Sequence, residues 1–200
     1  MKKISIIIVA ALLAFMCACS GGGTKTEQPA YEPGTLTISL DYEKQSGYAS
    51  NQFAVWVEDL DGNLIKTLYA TRFTANGGFR DRPDSIPLWV EKSGLATMQK
   101  ADADAVSGAT PSTGTLYYTW DAADKDGNAV PAGEYRFFVE GSLRWKNRVL
   151  YSGAVDTGGG NAVVKAEAAY FYEGSDSQAA LSADSPENKM LGNVTADWRR

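Results

Sequence analysis

Alternation of apolar and polar residues at every second position is the feature that most constrains the fold of this chain. Residues 35–42 read Thr-Leu-Thr-Ile-Ser-Leu-Asp-Tyr, which is the pattern of a β-strand that buries one face and exposes the other. Two further strand-like runs, 53–59 and 64–70, flank the turn sequence Leu-Asp-Gly-Asn at 60–63. Because an Asp-Gly pair between two such runs is a strong hairpin signal, these residues predict an antiparallel β-hairpin.

More strand-like segments follow, with turns rich in Gly, Asp and Asn between them. The total of about seven strands predicts an all-β fold in which two sheets form a β-sandwich. One short helix is predicted from residue 85 or 86 to residue 99, with Pro87 near its first turn and Gly94 weakening its second half. The additional predicted strands are residues 115–120, 134–143, 148–154 and 162–172.

Histidine and cysteine are both missing beyond residue 19, and this narrows the chemistry that the chain can carry out. The 200 residues include no histidine, and the two cysteines, Cys17 and Cys19, both lie near the N-terminus. Because the chain beyond Cys19 has neither histidine nor cysteine, it has no Ser-His-Asp or Cys-His nucleophile system, no usual zinc site and no His-ligated haem. The formal net charge of −5 and the lack of a long basic cluster argue against nucleic-acid binding. We expect a protein that is not an enzyme by itself and holds no metal.

The N-terminus has the organisation of an export signal. Lys2 and Lys3 supply positive charge, and residues 4–15 form an apolar run too short to anchor the chain across a bilayer. The run ends in Met-Cys-Ala-Cys-Ser at 16–20, which resembles the lipobox of bacterial lipoproteins. In that motif a small residue precedes the acylated cysteine, and only Cys19 follows a small residue. The alternative is an ordinary cleaved signal with an incidental cysteine.

The lipobox resemblance implies a division of the chain into three parts. Residues 1–18 would be the signal peptide, residues 19–33 a Gly-rich flexible tether, and residues 34–200 a single β-sandwich domain. Lipoproteins of this type carry several acyl chains, such as palmitate, on the cysteine, and durable anchoring requires more than one chain. We therefore expect a protein of the cell envelope, held to a membrane by lipid and facing the periplasm.

Residues 120–135 contain a motif that predicts local structure. They read Trp-Asp, then Asp-x-x-Gly, then Val-Pro-x-Gly-x-Tyr, a pattern that resembles Ig-like domains such as that of the flagellar hook-cap protein. Its physical logic is a buried aromatic residue at the end of one strand, a turn with a glycine at positive φ, and a second tight turn into the next strand. The resemblance implies that the predicted β-sandwich of about seven strands with one short helix is Ig-like, and it implies nothing about flagella.

A broader resemblance covers most of the chain after the tether. The blocks Ser-Gly-Tyr-Ala-Ser at 46–50, Pro-Asp-Ser-Ile-Pro-Leu-Trp at 83–89 and Arg-Trp-Lys-Asn-Arg at 144–148 follow one another in this order. This order is similar to that of an uncharacterised family of predicted periplasmic proteins. It agrees with export but implies no activity.

The segment that could carry chemistry reads Asp-Ala-Val-Ser-Gly-Ala-Thr at 104–110. It resembles the flavinylation motif of the FMN-binding domain family, in which a flavin transferase joins the phosphate of FMN to the final hydroxyl. The resemblance implies covalent FMN and an electron carrier that works with a flavin transferase and with redox proteins of the envelope. By position in the motif, Thr110 would be the attachment point, Asp104 the acidic recognition residue, and Ser107, Gly108 and Ala109 the small residues that let the loop enter the transferase.

Two interpretations of this segment remain open. Pro111 stiffens the backbone beside Thr110, and residues 107–114 could be a plain Ser/Gly/Thr loop between a helix and a strand. Aromatic residues that could shelter a flavin ring have a structural alternative, since aromatic side chains more often lie in the core of the fold. These residues are Trp89, Tyr117, Tyr118 and Trp145.

Two charged clusters have structural alternatives as well. The arginines at 72, 80 and 82 and the Arg-x-Lys-x-Arg alternation at 144–148 could bind an anion, or could mark a water-facing strand. The aspartates at 121, 124 and 126 lack the later glutamate of an EF-hand, so we interpret them as a turn. Three functions therefore remain: a lipid-anchored flavin carrier, an Ig-like binding or scaffold module without catalytic activity, and a hydrolase without histidine.

Overall fold

The protein is an all-β sandwich in which two sheets enclose an apolar core. The computed structural model describes residues 26–46, 50–143, 147–171 and 189–200. Ten strands and three short α-helices are found in these residues. In chain order they are β1 (Thr35–Tyr42), β2 (Gln52–Glu58), β3 (Leu64–Thr71), α1 (Arg72–Ala75), α2 (Pro87–Lys92), α3 (Lys100–Val106), β4 (Ser107–Gly108), β5 (Gly114–Trp120), β6 (Glu134–Ser142), β7 (Arg148–Asp156), β8 (Ala162–Lys165), β9 (Glu167–Phe171) and β10 (Leu191–Arg199).

The predicted fold class is confirmed, and the strands divide unequally between the sheets. One sheet has four strands in the order β5-β1-β10-β8, and the other has six in the order β4-β3-β2-β6-β7-β9. The predicted hairpin is present, because β2 and β3 pair antiparallel around the turn at Gly62. Only the pairing of β3 with the two residues of β4 is parallel in the described residues. The predicted signal peptide and Cys19 lie outside these residues.

Alternation along β1 explains the core between the sheets. Leu36, Ile38, Leu40 and Tyr42 are buried and face the second sheet, as period-two side chains on one face must. They meet aromatic residues from the six-stranded sheet, with the rings of Tyr42 and Phe53 centred 5.4 Å apart. Burial of this apolar and aromatic surface is the main force that holds the sheets together.

The six-stranded sheet is also covered on its outer face. All seven residues of β2 are buried, including Ala54 and Trp56, which point away from the inter-sheet core. A second apolar cluster there joins Trp56 to Ile86 and Trp89 in the segment that carries the helices. A strand buried on both faces loses the alternation of β1, and this is why residues 53–59 read as an almost continuous apolar run.

The prediction of one helix up to residue 99 is wrong. The chain forms α2 only as far as Lys92, because Gly94 adopts a positive φ of 64° and turns the backbone out of the helix. A separate helix, α3, begins at Lys100. The glycine that was expected only to weaken the helix instead divides the segment in two.

The prediction of one strand over residues 162–172 is also wrong. The segment contains β8 and β9, which lie in different sheets, and the chain crosses between them at Ala166. The amide of Ala166 donates to the carbonyl oxygen of Val194 in β10. Tyr172 lies outside the described residues. The strand β10 was not predicted, although it pairs with β1 over most of its length.

The local structure expected at residues 120–135 is present. Trp120 is fully buried, and its indole nitrogen donates to the carbonyl oxygen of Ala123 at 2.8 Å. Gly127 has a positive φ of 83°, and the hydroxyl of Tyr135 donates to the carbonyl oxygen of Pro131 at 2.8 Å. The two turns and the buried aromatic residue are therefore confirmed, whereas the wider Ig-like resemblance stays a prediction.

Candidate functional site

The flavinylation-like motif lies where an insertion between β3 and β5 returns to the sandwich. The insertion comprises residues 72–113 and contains the helices α1, α2 and α3. Asp104 is in the last turn of α3, and Ser107 and Gly108 form β4 at the edge of the six-stranded sheet. The partners of β4 are Ala70 and Thr71 of β3. The motif is thus fixed to the sheet in its middle and leaves it at Ala109.

Gly108 has a structural role that its position in the motif alone does not reveal. A β-carbon at residue 108 would lie 2.6 Å from the ring of Tyr69, closer than side chains tolerate. The hydroxyl of Tyr69 donates to the carbonyl oxygen of Ala109 at 2.8 Å. The tyrosine therefore needs glycine beside its ring and holds the backbone one residue before Thr110.

The two ends of the motif differ from its middle in being exposed. Asp104 and Thr110 both face solvent, whereas Ser107 and Gly108 are half-buried. The Ser107 hydroxyl lies 3.4 Å from the carbonyl oxygen of Asp104, a long contact that adds little. Within the described residues, no hydrogen bond joins the Asp104 carboxylate to the Thr110 hydroxyl. The fold therefore holds Ser107 and Gly108 against β3 and ties the exposed Ala109 to it through Tyr69. Asp104 and Thr110 face solvent.

A groove of about 700 Å³ lies beside the motif. It runs along one edge of the sandwich between β3 and β5, and its lining includes Leu68 of β3 and the buried Tyr118 of β5. The segment between α2 and α3 and the turn that follows β5 form its other walls. Its volume is within the range of small-molecule sites. Lining side chains include Leu64, Lys66, Met98, Val106, Tyr117 and Thr119.

Ion pairs occupy the rim of this groove. The ammonium group of Lys66 lies 2.8 Å from the Asp121 carboxylate, and that of Lys125 lies 2.7 Å from Asp126. The hydrogen bond to Asp126 is the main cause that raises the pKa of Lys125 above its usual value. A third aspartate, Asp102, also lines the groove. The two lysines are thus each paired with an aspartate and Asp102 is in excess, so the groove carries no net positive charge.

The aromatic residues considered as a flavin shelter separate into three groups. Trp89 is the fully buried residue of α2, and its indole nitrogen donates to the Thr67 hydroxyl of β3 at 3.1 Å. Tyr118 is buried in the inter-sheet core. Tyr117 is half-buried and lines the groove. Trp145 lies outside the described residues. Only Tyr117 of the described three therefore combines exposure with a position beside the motif.

Two arginines of the charged clusters have structural roles, whereas Arg72 and Arg80 are exposed. Arg148 lies 2.8 Å from the fully buried carboxylate of Glu140, so it is not at a water-facing strand position. Arg82 donates to the carbonyl oxygen of Ser50, before β2, at 3.0 Å and to the Ser142 hydroxyl of β6 at 3.3 Å, which ties the insertion to the sheet. Arg144 and Lys146 lie outside the described residues.

The aspartate-rich segment is the turn that its sequence predicted. Asp124 accepts hydrogen bonds from the backbone amides of Asp126 and Asn128, both at 2.9 Å. These bonds, those from Asn128 first, lower the pKa of Asp124. In the described part of the chain, no group of three or more Asp, Glu, Cys or His side chains is arranged to hold a metal ion.

Sequence reasoning missed the groove as a site. Its walls come from β3, from the segment between the helices, from β5 and from the turn after β5, which are far apart in the chain. The only local signal was Tyr117, an aromatic residue on the face of β5 opposite to the buried Leu116 and Tyr118.

The fold defines a β-sandwich protein with a helical insertion at one sheet edge. The chain belongs to the family described as predicted periplasmic protein (DUF2271), whose model matches residues 34–173. This match confirms the resemblance to an uncharacterised periplasmic family and identifies a periplasmic protein. No curated protein and no solved structure matches the chain.

Within residues 26–46, 50–143, 147–171 and 189–200, no helix has the length and apolar character needed to cross a bilayer.

Proposed function

We propose that this protein is a periplasmic electron carrier that is anchored by lipid on Cys19 and holds FMN covalently on Thr110. The observation that carries the proposal is the presentation of the motif. Thr110 is exposed directly after a backbone that β3 and Tyr69 hold in place. A modifying enzyme can reach such a hydroxyl without unfolding the sandwich.

The backbone at the acceptor also suits entry into another protein's cleft. Thr110 precedes Pro111, and a residue before proline is pushed toward extended conformations. Residues 109–112 form no helix or strand in the structure. An exposed, extended segment exposes its backbone groups and one hydroxyl to a transferase, and the small side chains before it leave room for close approach.

The attachment step needs a donor in which the FMN phosphate is already activated, such as a flavin dinucleotide. The oxygen of the Thr110 hydroxyl forms a bond to the phosphorus of the FMN half, and the pyrophosphate bond to the adenylate half breaks. The hydroxyl proton passes to a base of the transferase, and adenosine monophosphate leaves. No electrons are exchanged, so the chain needs no redox residue of its own for this step.

The composition determines which roles FMN and the protein would have after attachment. FMN supplies the electron-transfer chemistry, which the protein's own side chains lack, since the sequence beyond Cys19 has neither cysteine nor histidine. Thr110 holds the group, and the anchored backbone of Gly108 and Ala109 sets where it is held. The lipid on Cys19 would keep the carrier beside membrane-bound redox partners.

The test is the intact mass and visible spectrum of the protein co-expressed with a flavin transferase. The unsubstituted protein and Thr110→Ser are expected to gain one FMN moiety and flavin absorbance, whereas Thr110→Ala should gain neither. Ser112→Ala is the matched control, because Ser112 is an exposed hydroxyl residue two positions away. In the same cells, Cys19→Ser should leave the membrane fraction and Cys17→Ser should remain there.

An unmodified, colourless protein under these conditions would contradict the proposal. The account that would then hold is a binding or scaffold module of the envelope without a cofactor. The hydrolase alternative has less support, because two of the aspartates that line the groove, Asp121 and Asp126, are each paired with a lysine.

A further inference from the structure

The groove beside the motif has the shape of a site for a flat apolar group. It has a volume of about 700 Å³ and is lined by Leu64, Met98, Val106 and the half-buried Tyr117. Binding sites for planar organic ligands are mostly apolar, with a few polar groups that fix orientation. In this groove Thr119 and Lys66 supply those polar groups.

The groove is within reach of Thr110. Val106 lines the groove and lies four residues before Thr110, so the two α-carbons are at most about 14 Å apart even in a fully extended chain. β4 and Tyr69 anchor the residues between them, so this separation does not vary freely. A ribityl phosphate chain with a three-ring isoalloxazine has a comparable length.

The charges on the rim of the groove are compatible with binding of an uncharged ring. Lys66 and Lys125 pair with Asp121 and Asp126, and Asp102 adds one negative charge. A strongly basic groove would favour a free phosphate group, whereas this one offers no net positive charge. The oxidised isoalloxazine ring is neutral, planar and rich in carbonyl groups that can accept hydrogen bonds from an ammonium group.

We infer that this groove is the docking site of the isoalloxazine ring of FMN attached to Thr110, with Tyr117 as its stacking partner. The inference rests on the proposed function and adds to it the place where the ring lies. Tyr117 is suited to this role because an aromatic side chain that is half-buried can stack on a flat ring without a large loss of its own freedom.

The experiment measures how well iodide quenches the fluorescence of the attached oxidised flavin. The folded protein should be protected, and the same sample in urea defines a fully exposed ring. Removal of the stacking partner in Tyr117→Ala is expected to shift the ratio of docked to free ring by about tenfold toward free. Tyr31→Ala is the matched control, since Tyr31 is exposed and does not line the groove.

A second variant keeps the inference testable if Tyr117→Ala disturbs β5. Thr97 is an exposed residue between α2 and α3 that lines the groove and lies outside the motif, so Thr97→Phe should fill the groove and displace the ring while β5 is unchanged. Intact mass distinguishes a failure of the groove from a failure of the proposed function. Attached FMN that is quenched equally in folded and unfolded protein overturns the groove alone, whereas absence of attached FMN overturns the proposed function and the groove with it.

Discussion

The two faces of the six-stranded sheet are buried by different means. The inner face meets the smaller sheet through apolar and aromatic side chains such as Phe53, Phe137 and Val139. The outer face is covered by the helical insertion and buries polar side chains as well, among them Gln52, Glu58 and Glu140. Hydrophobic burial alone is non-directional and suffices between two regular sheets. An irregular insertion needs directed hydrogen bonds to hold one position, and the candidate site lies at the end of that insertion.

Glu140 is the clearest of these directed contacts. Its carboxylate accepts hydrogen bonds from the backbone amides of Leu88 at 3.2 Å and Trp89 at 2.9 Å, in the first turn of α2, and from Arg148 at 2.8 Å. One buried side chain thus joins β6, β7 and the insertion. The insertion should therefore depend on Glu140 more than the inter-sheet core does.

The largest predicted effect is that of Glu140→Ala. The change leaves two helix amides without their acceptor and Arg148 without its partner, and we expect a loss of about 3 kcal/mol in the free energy of unfolding. The measurement is urea unfolding, combined with amide hydrogen exchange. Relative to the unsubstituted protein, amide exchange in Glu140→Ala should accelerate more in α2 than in β1. Equal acceleration in both elements would contradict the contrast between the two faces.

A smaller effect is expected for Gly108→Ala. The added β-carbon would lie 2.6 Å from the ring of Tyr69, so β4 must shift away from β3. We expect a destabilisation of about 1–3 kcal/mol, the range for overpacked sites, measured by thermal or urea unfolding. Gly133→Ala is the control, because nothing lies within 4 Å of a β-carbon there. If both variants unfold alike, Tyr69 does not hold the motif as described.

The smallest predicted effect is a change in pH dependence in Glu140→Gln. Burial raises the pKa of the Glu140 carboxyl, although the hydrogen bonds from Trp89 and Arg148 oppose this rise. A raised pKa means that the folded state binds more protons than the unfolded state. The contribution of Glu140 to the free energy of unfolding is therefore complete below the ordinary glutamate pKa. It is lost as pH rises through the pKa of Glu140 in the folded state.

The measurement for this prediction compares unfolding free energies at several pH values from 4 to 8. The unsubstituted protein should lose stability with rising pH relative to Glu140→Gln, which has no titrating group at residue 140. A difference between the two proteins that grows in the opposite direction would show that the hydrogen bonds, and not burial, dominate the pKa of Glu140.

The contrast between the faces also explains which parts of the fold the sequence could predict. β1, the hairpin of β2 and β3, and β5 to β7 were predicted because alternation and turn residues are local signals. The insertion was predicted poorly, because Gly94 ends a helix-like pattern midway. The change of sheets at Ala166 could not be predicted either, since the side-chain pattern continues across it while the pairing partners change.

The candidate site shows the same division between local and non-local information. The motif from Asp104 to Thr110 is contiguous and could be recognised from residue types and spacing. The groove is formed by residues from Leu64 to Asp126 that only the tertiary structure brings together. The contact of Tyr69 with Gly108 is likewise invisible in sequence, although it supplies a structural reason for the glycine.

Peptide mapping of the protein co-expressed with a flavin transferase tests the central claim most directly. Trypsin should release residues 101–125 as one peptide, since Lys100 and Lys125 bound it and no Lys or Arg lies between them. The account predicts that this peptide carries one FMN moiety and that fragmentation places it on Thr110. An unmodified peptide, or FMN on another hydroxyl residue, would contradict the account.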